Sequence, residues 1–292
     1  MAESPTSGPS LSGASGPGAS LTEPVPASLT EPVPAGATGT PGLLVATGDG
    51  TATVTIGNPA RRNAMTVAMW RSLPVLLDAL AADPTVRVLV LTGAGDTFCA
   101  GADIGDLAGP DGPRDTQEAA VAAEKALAAF PKPTLAAIRG SCVGGGCQLA
   151  VACDLRFAEE GARFGVTPAR LGIVYPASST RRLAALTGPS TAKHLLFSAE
   201  LIDHERALRT GLVDEVLPAG GLAERVREFT GVLRSRSQLT QAAAKEFTAG
   251  EPTAERRAHW AAQAAASGDA AEGAAAFLER RTPRFAWSPA QG

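Results

Sequence analysis

Apolar residues recur along this chain in two rhythms. The run VRVLVL, Val86 to Leu91, is apolar almost without a break, and TLAAI repeats the pattern at Thr134 to Ile138. Short continuous apolar runs of this kind fit strands covered on both faces. From about Thr66 to Ala82, and again from roughly Thr116 to Phe130, the apolar positions carry helical spacing. LLVAT and TATVTI flank Gly48-Asp49-Gly50, which predicts a hairpin. Another strand, DLRFA, follows at Asp154. Strands and helices alternate, so the fold class expected is α/β, in layers. From about Gly221 the strand signals stop, and Ala- and Arg-rich helical patterns run to Leu278.

The same pattern divides the chain into three parts. Residues 1–41 are almost entirely Pro, Gly, Ser, Ala and Thr, with SLTEPVPA repeated in tandem at Ser20 to Ala27 and Ser28 to Ala35. Such a segment buries too little apolar surface to offset its ordering entropy, and a disordered tail is expected. A Pro-rich docking peptide is the alternative. Residues 42–220 form the expected α/β core, and residues 221–292 a helical C-terminal region.

Charge and composition narrow the function. The 292 residues carry a formal net charge of −3. Glu3, Glu23 and Glu31 lie in the first 40 residues, which hold no Lys or Arg, so the remaining acids balance the 26 basic residues. No net basic field is left to attract nucleic acid. No apolar run approaches the roughly 20 residues of a membrane helix. The first residues carry no signal-like pattern, and a cytoplasmic protein is expected. Cys99, Cys142, Cys147 and Cys153 form no CxxC pair and have no histidine beside them. Reduced, buried thiols are expected rather than zinc ligands.

Two glycine-bearing stretches follow predicted strands: TGAGDTFCAGADI, Thr92 to Ile104, and IRGSCVGGGCQLA, Ile138 to Ala150. Each could expose backbone N–H groups, and the second does so at a helix start, where the dipole favours negative charge. Two such amides converging on one oxygen make an oxyanion hole. Tight helix–sheet packing explains the same glycines equally simply. Other chemistries fit worse. Phe98 stands where a dinucleotide fingerprint needs its third glycine, and a Gly-Lys-Ser/Thr phosphate loop is absent. His194, His204 and His259 all lie away from both motifs.

NPARRNAMT (Asn58 to Thr66), VLVLTGAGDTFCAGADIGDL (Val88 to Leu107), GSCVGGGCQLAVACDLRFA (Gly140 to Ala158) and SGDAAEGAAAFLERRTPRF (Ser267 to Phe285) resemble, in order, motifs of the crotonase superfamily, the enoyl-CoA hydratase/isomerase family. The resemblance implies a crotonase-like spiral of ββα units with a C-terminal helical trimerisation region, assembled as a trimer or a dimer of trimers. It implies an acyl-CoA thioester as ligand, with coenzyme A as part of the substrate and no tightly bound cofactor or metal. By the same resemblance, the oxyanion amides belong to Ala102 and Gly145. Arg62, Ala64, Ala100, Asp103, Ile104, Gly144, Pro168 and Arg280 would surround the substrate. Asp103 is read mainly as orienting its loop. Arg62 is read as meeting the nucleotide end or as solvated, and Arg280 as reaching a neighbouring subunit's coenzyme.

The sequence departs from the family where hydration is done. Family hydratases place one glutamate after GGGC and a second in a stretch like FGxPExxLG. Here those places hold Gln148 and, within FGVTPARLG, Pro168. A glutamine amide cannot take a proton at neutral pH, so the usual two-glutamate hydration is not expected. TPARLGIVY, Thr167 to Tyr175, instead resembles the methylmalonyl-CoA decarboxylase branch, in which such a stretch supplies a tyrosine. That branch has a histidine where this chain has Ala102. Three functions follow: an acyl-CoA enzyme with its acid–base group elsewhere, a decarboxylase of a malonyl-type thioester using Tyr175, and a non-catalytic acyl-CoA-binding protein. Gln148 is expected to face the acyl chain. Gly145→Val is expected to weaken binding with the fold intact, and Gln148→Glu to be tolerated at its helix start.

Deleting residues 1–41 removes no core-forming pattern. The truncated chain is expected to keep its assembly and a Tm within about 2 °C of the full chain by calorimetry. A larger drop would give the tail a structural role.

Overall fold

The computed structural model describes residues 40–108 and 112–289. The tandem octapeptide and the rest of residues 1–39 lie outside them. The chain opens with β1 (Gly42–Gly48) and β2 (Thr51–Gly57), paired antiparallel. They are joined at Asp49 and Gly50, whose φ values of 47° and 73° are those of a two-residue hairpin turn. Helix α1 (Val67–Ala82) leads to β3 (Val88–Gly93), and α2 (Gly112–Ala128) leads to β4 (Thr134–Ile138). Next come β5 (Ser141–Val143), α3 (Gly145–Ala152), β6 (Leu155–Glu159), β7 (Arg163–Gly165) and α4 (Ala177–Ser198). The remaining elements are β8 (Ile202–Asp203), α5 (His204–Arg209), β9 (Glu215–Leu217), α6 (Leu222–Arg234), α7 (Gln238–Ala249), α8 (Ala254–Ser267) and α9 (Asp269–Leu278). Observed helix and strand limits lie within a few residues of those the pattern predicts.

Six strands form one sheet in the order β1-β2-β3-β4-β6-β9, parallel from β2 onward. β3 and β4 are buried on both faces, as their unbroken apolar runs require. A second small sheet, β5-β7-β8, was not separable from its surroundings in the sequence. Chain pairings extend this second layer: Cys99 pairs with Cys142, and Met65 with Ala102. The layer therefore carries both glycine-bearing stretches and sets them side by side.

The main core lies between the large sheet and helices α1 to α4, around Trp70, Phe98, Leu77 and Phe164. Helix α1 buries Met69, Trp70, Leu73, Leu77 and Leu80. Their spacing of three or four residues makes one apolar stripe. Helix α6 packs on the opposite face of the sheet, where Leu222, Val226 and Phe229 meet Val90, Leu135 and Phe157. The four cysteines are free and buried. Burial raises the Cys99 and Cys153 thiols to about 12.

Lys132 is a charged residue in this core. Only 1 % of its surface is exposed. Its ammonium donates to the Leu80 carbonyl at 3.1 Å and the Asp83 carbonyl at 2.6 Å. Those acceptors close the C-terminal end of α1, where a cation is favoured by the helix dipole. Lys132→Met leaves both carbonyls without that donor and should lower unfolding free energy by about 2 kcal/mol. Urea denaturation measures this; an unchanged midpoint would remove Lys132 from the helix-capping role.

Candidate active site

The site is built on two loops locked together by asparagines. Asn63, in the left-handed region at φ 57°, donates to the Ala94 carbonyl at 2.8 Å and the Thr97 carbonyl at 2.6 Å. Asn58 donates to the Ala64 carbonyl at 2.8 Å. The NPARRNAMT motif thus clasps the loop after β3. Met65 then donates to the Gly101 carbonyl and accepts from the Asp103 amide. In a parallel bridge of this kind, the intervening residue turns its own N–H away from the partner strand. Among the described residues no protein group accepts from the Ala102 N–H.

The second amide comes from α3. Gly144 spends its N–H on the Gly165 carbonyl at 2.8 Å and turns the chain at φ 55°. Gly145 is the first residue of the helix, so its N–H has no acceptor within it. A β-carbon placed on Gly145 would lie 3.4 Å from the Ala102 nitrogen, and one on Gly101 would lie 3.4 Å from the Gly145 nitrogen. Two amides without protein partners among the described residues therefore lie close together, one of them at the positive end of a helix.

The three glycines serve separate ends. Gly144 supplies the positive φ. Gly146 lets α3 touch the preceding loop, since a β-carbon there would fall 2.2 Å from the Cys99 carbonyl oxygen. Gly145 lies against Trp70, whose ring would be 2.8 Å from an added β-carbon. Trp70 is fully buried. Gly145→Val therefore disturbs the core, and the expectation of an intact fold is corrected.

Beside the amides is a cleft of about 180 Å³. Of the residues predicted around a substrate, Ala100, Ala102, Ile104, Gly144, Gly145, Gln148, Pro168 and Tyr175 line it. Arg62, Ala64, Asp103 and Arg280 do not line it. Asp103 accepts from Gly105 N–H at 2.9 Å and pairs with Arg61 at 3.3 Å, so it orients its loop. The remaining walls are mostly apolar and include Trp70, Leu107, Leu171 and Ile173. Among the described residues that line it there is no Asp, Glu, His, Lys or Arg. No group of three or more His, Cys, Asp or Glu among the described residues could hold a metal ion.

The sequence reading missed Glu124. Its side chain is wholly buried on α2. Its carboxylate accepts from Arg182 Nε at 2.9 Å, Ser179 Oγ at 2.5 Å, Ser178 Oγ at 3.1 Å and Gln148 Nε2 at 3.2 Å. The signal was present in the pattern: Thr116, Ala120, Ala123, Glu124 and Leu127 share the buried stripe of one helix, so an acid stood at a core position. Thr116 and Trp70 were also missed. Thr116 Oγ1, Trp70 Nε1 and the Tyr175 hydroxyl are buried without hydrogen-bond partners among the described residues, and all three residues line the cleft. Burial, then the neighbouring Cys147 and Glu124, holds the Tyr175 hydroxyl well above its ordinary pKa, so it stays protonated.

Glu124 also corrects the expectation for Gln148→Glu. That change sets two carboxylates face to face in a buried site, where both cannot stay ionised. It should destabilise the protein by about 2 kcal/mol or more. The exchange Glu124→Gln with Gln148→Glu restores an amide–carboxylate pair and should recover part of the loss. Denaturant titration of both variants checks this, and equal stability of wild type and Gln148→Glu would overturn it.

With this geometry in place, the comparisons are specific. The enoyl-CoA hydratase/isomerase family profile matches residues 46–288. The chain is 34 % identical over 249 residues to the 2,3-dehydroadipyl-CoA hydratase of Escherichia coli K12, covering 83 % of this chain and 98 % of that protein. It is 35 % identical over 247 residues to the crotonyl-CoA hydratase of Syntrophomonas wolfei, covering 80 % and 94 % respectively. The solved enoyl-CoA hydratase of Bacillus anthracis superposes with a TM-score of 0.77 at 30 % identity, over 83 % of this chain and 98 % of that one. The chain belongs to the enoyl-CoA hydratase/isomerase family, the crotonase superfamily of enzymes, and has its mixed α/β fold with a helical C-terminal region.

Proposed function

We propose that the cleft binds an acyl-CoA thioester, with its carbonyl oxygen between the Ala102 and Gly145 amides, and that turnover passes through a thioester enolate. The closeness of those two amides, neither with a protein partner among the described residues, supports the reading. As the thioester α-carbon gains electrons, negative charge collects on the carbonyl oxygen. Preorganised donors stabilise it there without reorganising, and one such donor is typically worth about 10²–10³ in rate. Tyr175 lines the cleft, and its protonated hydroxyl, buried behind that wall, is the proposed source of the proton returned to the α-carbon. Coenzyme A enters as part of the substrate. No described helix is long and apolar enough to cross a membrane. Exposed Phe277 and Leu278 at the end of α9 support self-association through the C-terminal helices, as a trimer or a dimer of trimers.

The ionisable inventory favours a second, narrower reading: decarboxylation of a malonyl-type thioester. Hydration needs a base for water, and the described residues of the lining supply no carboxylate or imidazole. Decarboxylation needs none. The carbon–carbon bond breaks, carbon dioxide leaves, its electron pair enters the enolate, and a proton then closes the α-carbon.

The test compares crotonyl-CoA hydration, read by loss of enoyl absorbance, with carbon dioxide release from methylmalonyl-CoA. Release of carbon dioxide that falls at least tenfold in Tyr175→Phe supports the narrower reading. Efficient crotonyl-CoA hydration would overturn it. Acyl-CoA binding with neither reaction would make the chain a binder only, and absence of binding would sink the whole proposal.

A further inference from the structure

A second hollow lies away from the cleft, between α7 and α8. It measures about 480 Å³ and is floored by Leu239, Phe247 and alanines of α7, with Arg257 and Trp260 of α8 beside them. Helix α8 runs for 14 residues and buries none of them, so this face is open. The rings of Phe247 and Trp260 stand edge to face, with 6.5 Å between centroids and 85° between planes. Trp260 Nε1 donates to Glu246 at 3.0 Å, which fixes the indole. Perpendicular rings on an apolar floor suit the prolines of an extended polyproline II segment. Arg257 is the one charged residue among the described residues of this lining. Its Nη1 donates to the Pro252 carbonyl at 2.6 Å and to Glu251 at 3.1 Å, on an exposed surface where such a pair is weak. Its Nε and Nη2 have no partner among the described residues.

The chain carries a segment of matching chemistry before β1. Each copy of SLTEPVPA places one acid before two prolines, and the first 40 residues hold three acids and no base. Chain length decides which copy reaches the groove. Gly42 pairs with Gly57, at the edge of the sheet where the parallel strands end. The groove lies toward the other edge. Lys245 of α7 donates to Asp154 at 2.9 Å and to the Lys132 carbonyl at 3.2 Å, where β6 and β4 begin. The height of a seven-residue strand is about 23 Å, and the four strand spacings from β1 to β6 add about 19 Å sideways, a diagonal of roughly 30 Å. Val33 lies nine residues before Gly42 and reaches about 31 Å when fully extended, whereas Val25, seventeen residues before it, reaches about 58 Å. A path round the surface is longer than the diagonal, so the outer copy has slack and the inner one has none.

We propose that the outer octapeptide, Ser20 to Ala27, docks in the α7–α8 groove of its own chain, with Pro24 and Pro26 against Phe247 and Trp260 and with Glu23 on Arg257. The inner copy, Ser28 to Ala35, is the spacer that lets it arrive. The contact is intramolecular, so a short weak motif is held by its high effective concentration. A docked state favoured about threefold over the released one raises Tm by only about 2 °C, in keeping with the small change expected when residues 1–41 are deleted.

Photo-crosslinking of the full chain tests this. The photoreactive residue p-benzoylphenylalanine replaces Val25 in one protein and Val33 in another. Equal amounts of isotope-labelled and unlabelled chain are mixed and irradiated, and mass spectrometry maps the captured residues. Position 25 should be captured on α7 or α8 of its own chain at least about threefold more than position 33. Arg257→Glu and Phe247→Ala should each lower that capture at least about fivefold. Should Phe247→Ala fail to fold, Arg257→Glu, at an exposed position, decides alone. Equal capture from the two positions, capture scattered over the surface, or capture unchanged in Arg257→Glu overturns the inference. Capture mainly between labelled and unlabelled chains also overturns it and gives the groove to a second copy.

Discussion

The site depends on two backbone amides that the fold leaves without partners. A buried N–H without an acceptor typically costs about 1–3 kcal/mol, and folds avoid it. Here the omission is enforced from both sides. Ala102 cannot turn its N–H inward, because its neighbours on either side are bonded to Met65. Gly145 cannot satisfy its N–H, because the helix begins there. The segment that holds Ala102 and the helix that begins at Gly145 belong to one small layer, tied by backbone pairing between Cys99 and Cys142. Moving either amide means breaking that layer. The placement of the two amides is thus set by topology together with the Asn58 and Asn63 side chains that clasp the loops.

This explains why the neighbouring residues are small and why their smallness is uneven. The run Gly144 to Gly146 sits where a helix start, a loop and a buried indole meet within van der Waals distance. Gly146 is a packing residue that any ligand-free protein of this fold would also need. Only Gly145 stands at both the packing limit and the amide pair. Packing accounts for Gly146, whereas Gly145 meets the packing limit at Trp70 and also begins the helix beside Ala102.

Much of this was legible in the sequence, and the unread part has a physical reason. Continuous apolar runs identified β3 and β4 because those strands are covered on both faces. The hairpin was legible in Gly48-Asp49-Gly50 because few residues accept two successive positive φ values. The β5-β7-β8 sheet was not legible, since strands of two or three residues leave no periodic trace. The choice of Ala102 and Gly145 as an amide pair came only through the family resemblance, because backbone groups have no letter in a sequence. Glu124 was hidden for another reason. An acid on a helix is normally solvated, and its burial depends on Arg182, Ser178, Ser179 and Gln148, which lie 24 to 58 residues away in the chain.

Glu124 and Gln148 are best understood as a single electrostatic arrangement. An enolate adds a negative charge to the cleft. At an effective dielectric of about 20, a second negative charge some 4 Å away would oppose it by about 4 kcal/mol. Arg182 and the two serines compensate Glu124 locally, and Gln148 stands between it and the cleft as a neutral group. A glutamate in place of Gln148 would face Glu124, and one of the two would hold a proton. A base at that position would then be silenced by its neighbour. The glutamine therefore does more than remove a family carboxylate. It is a neutral side chain that can donate to the buried Glu124 carboxyl without setting a second acid against it.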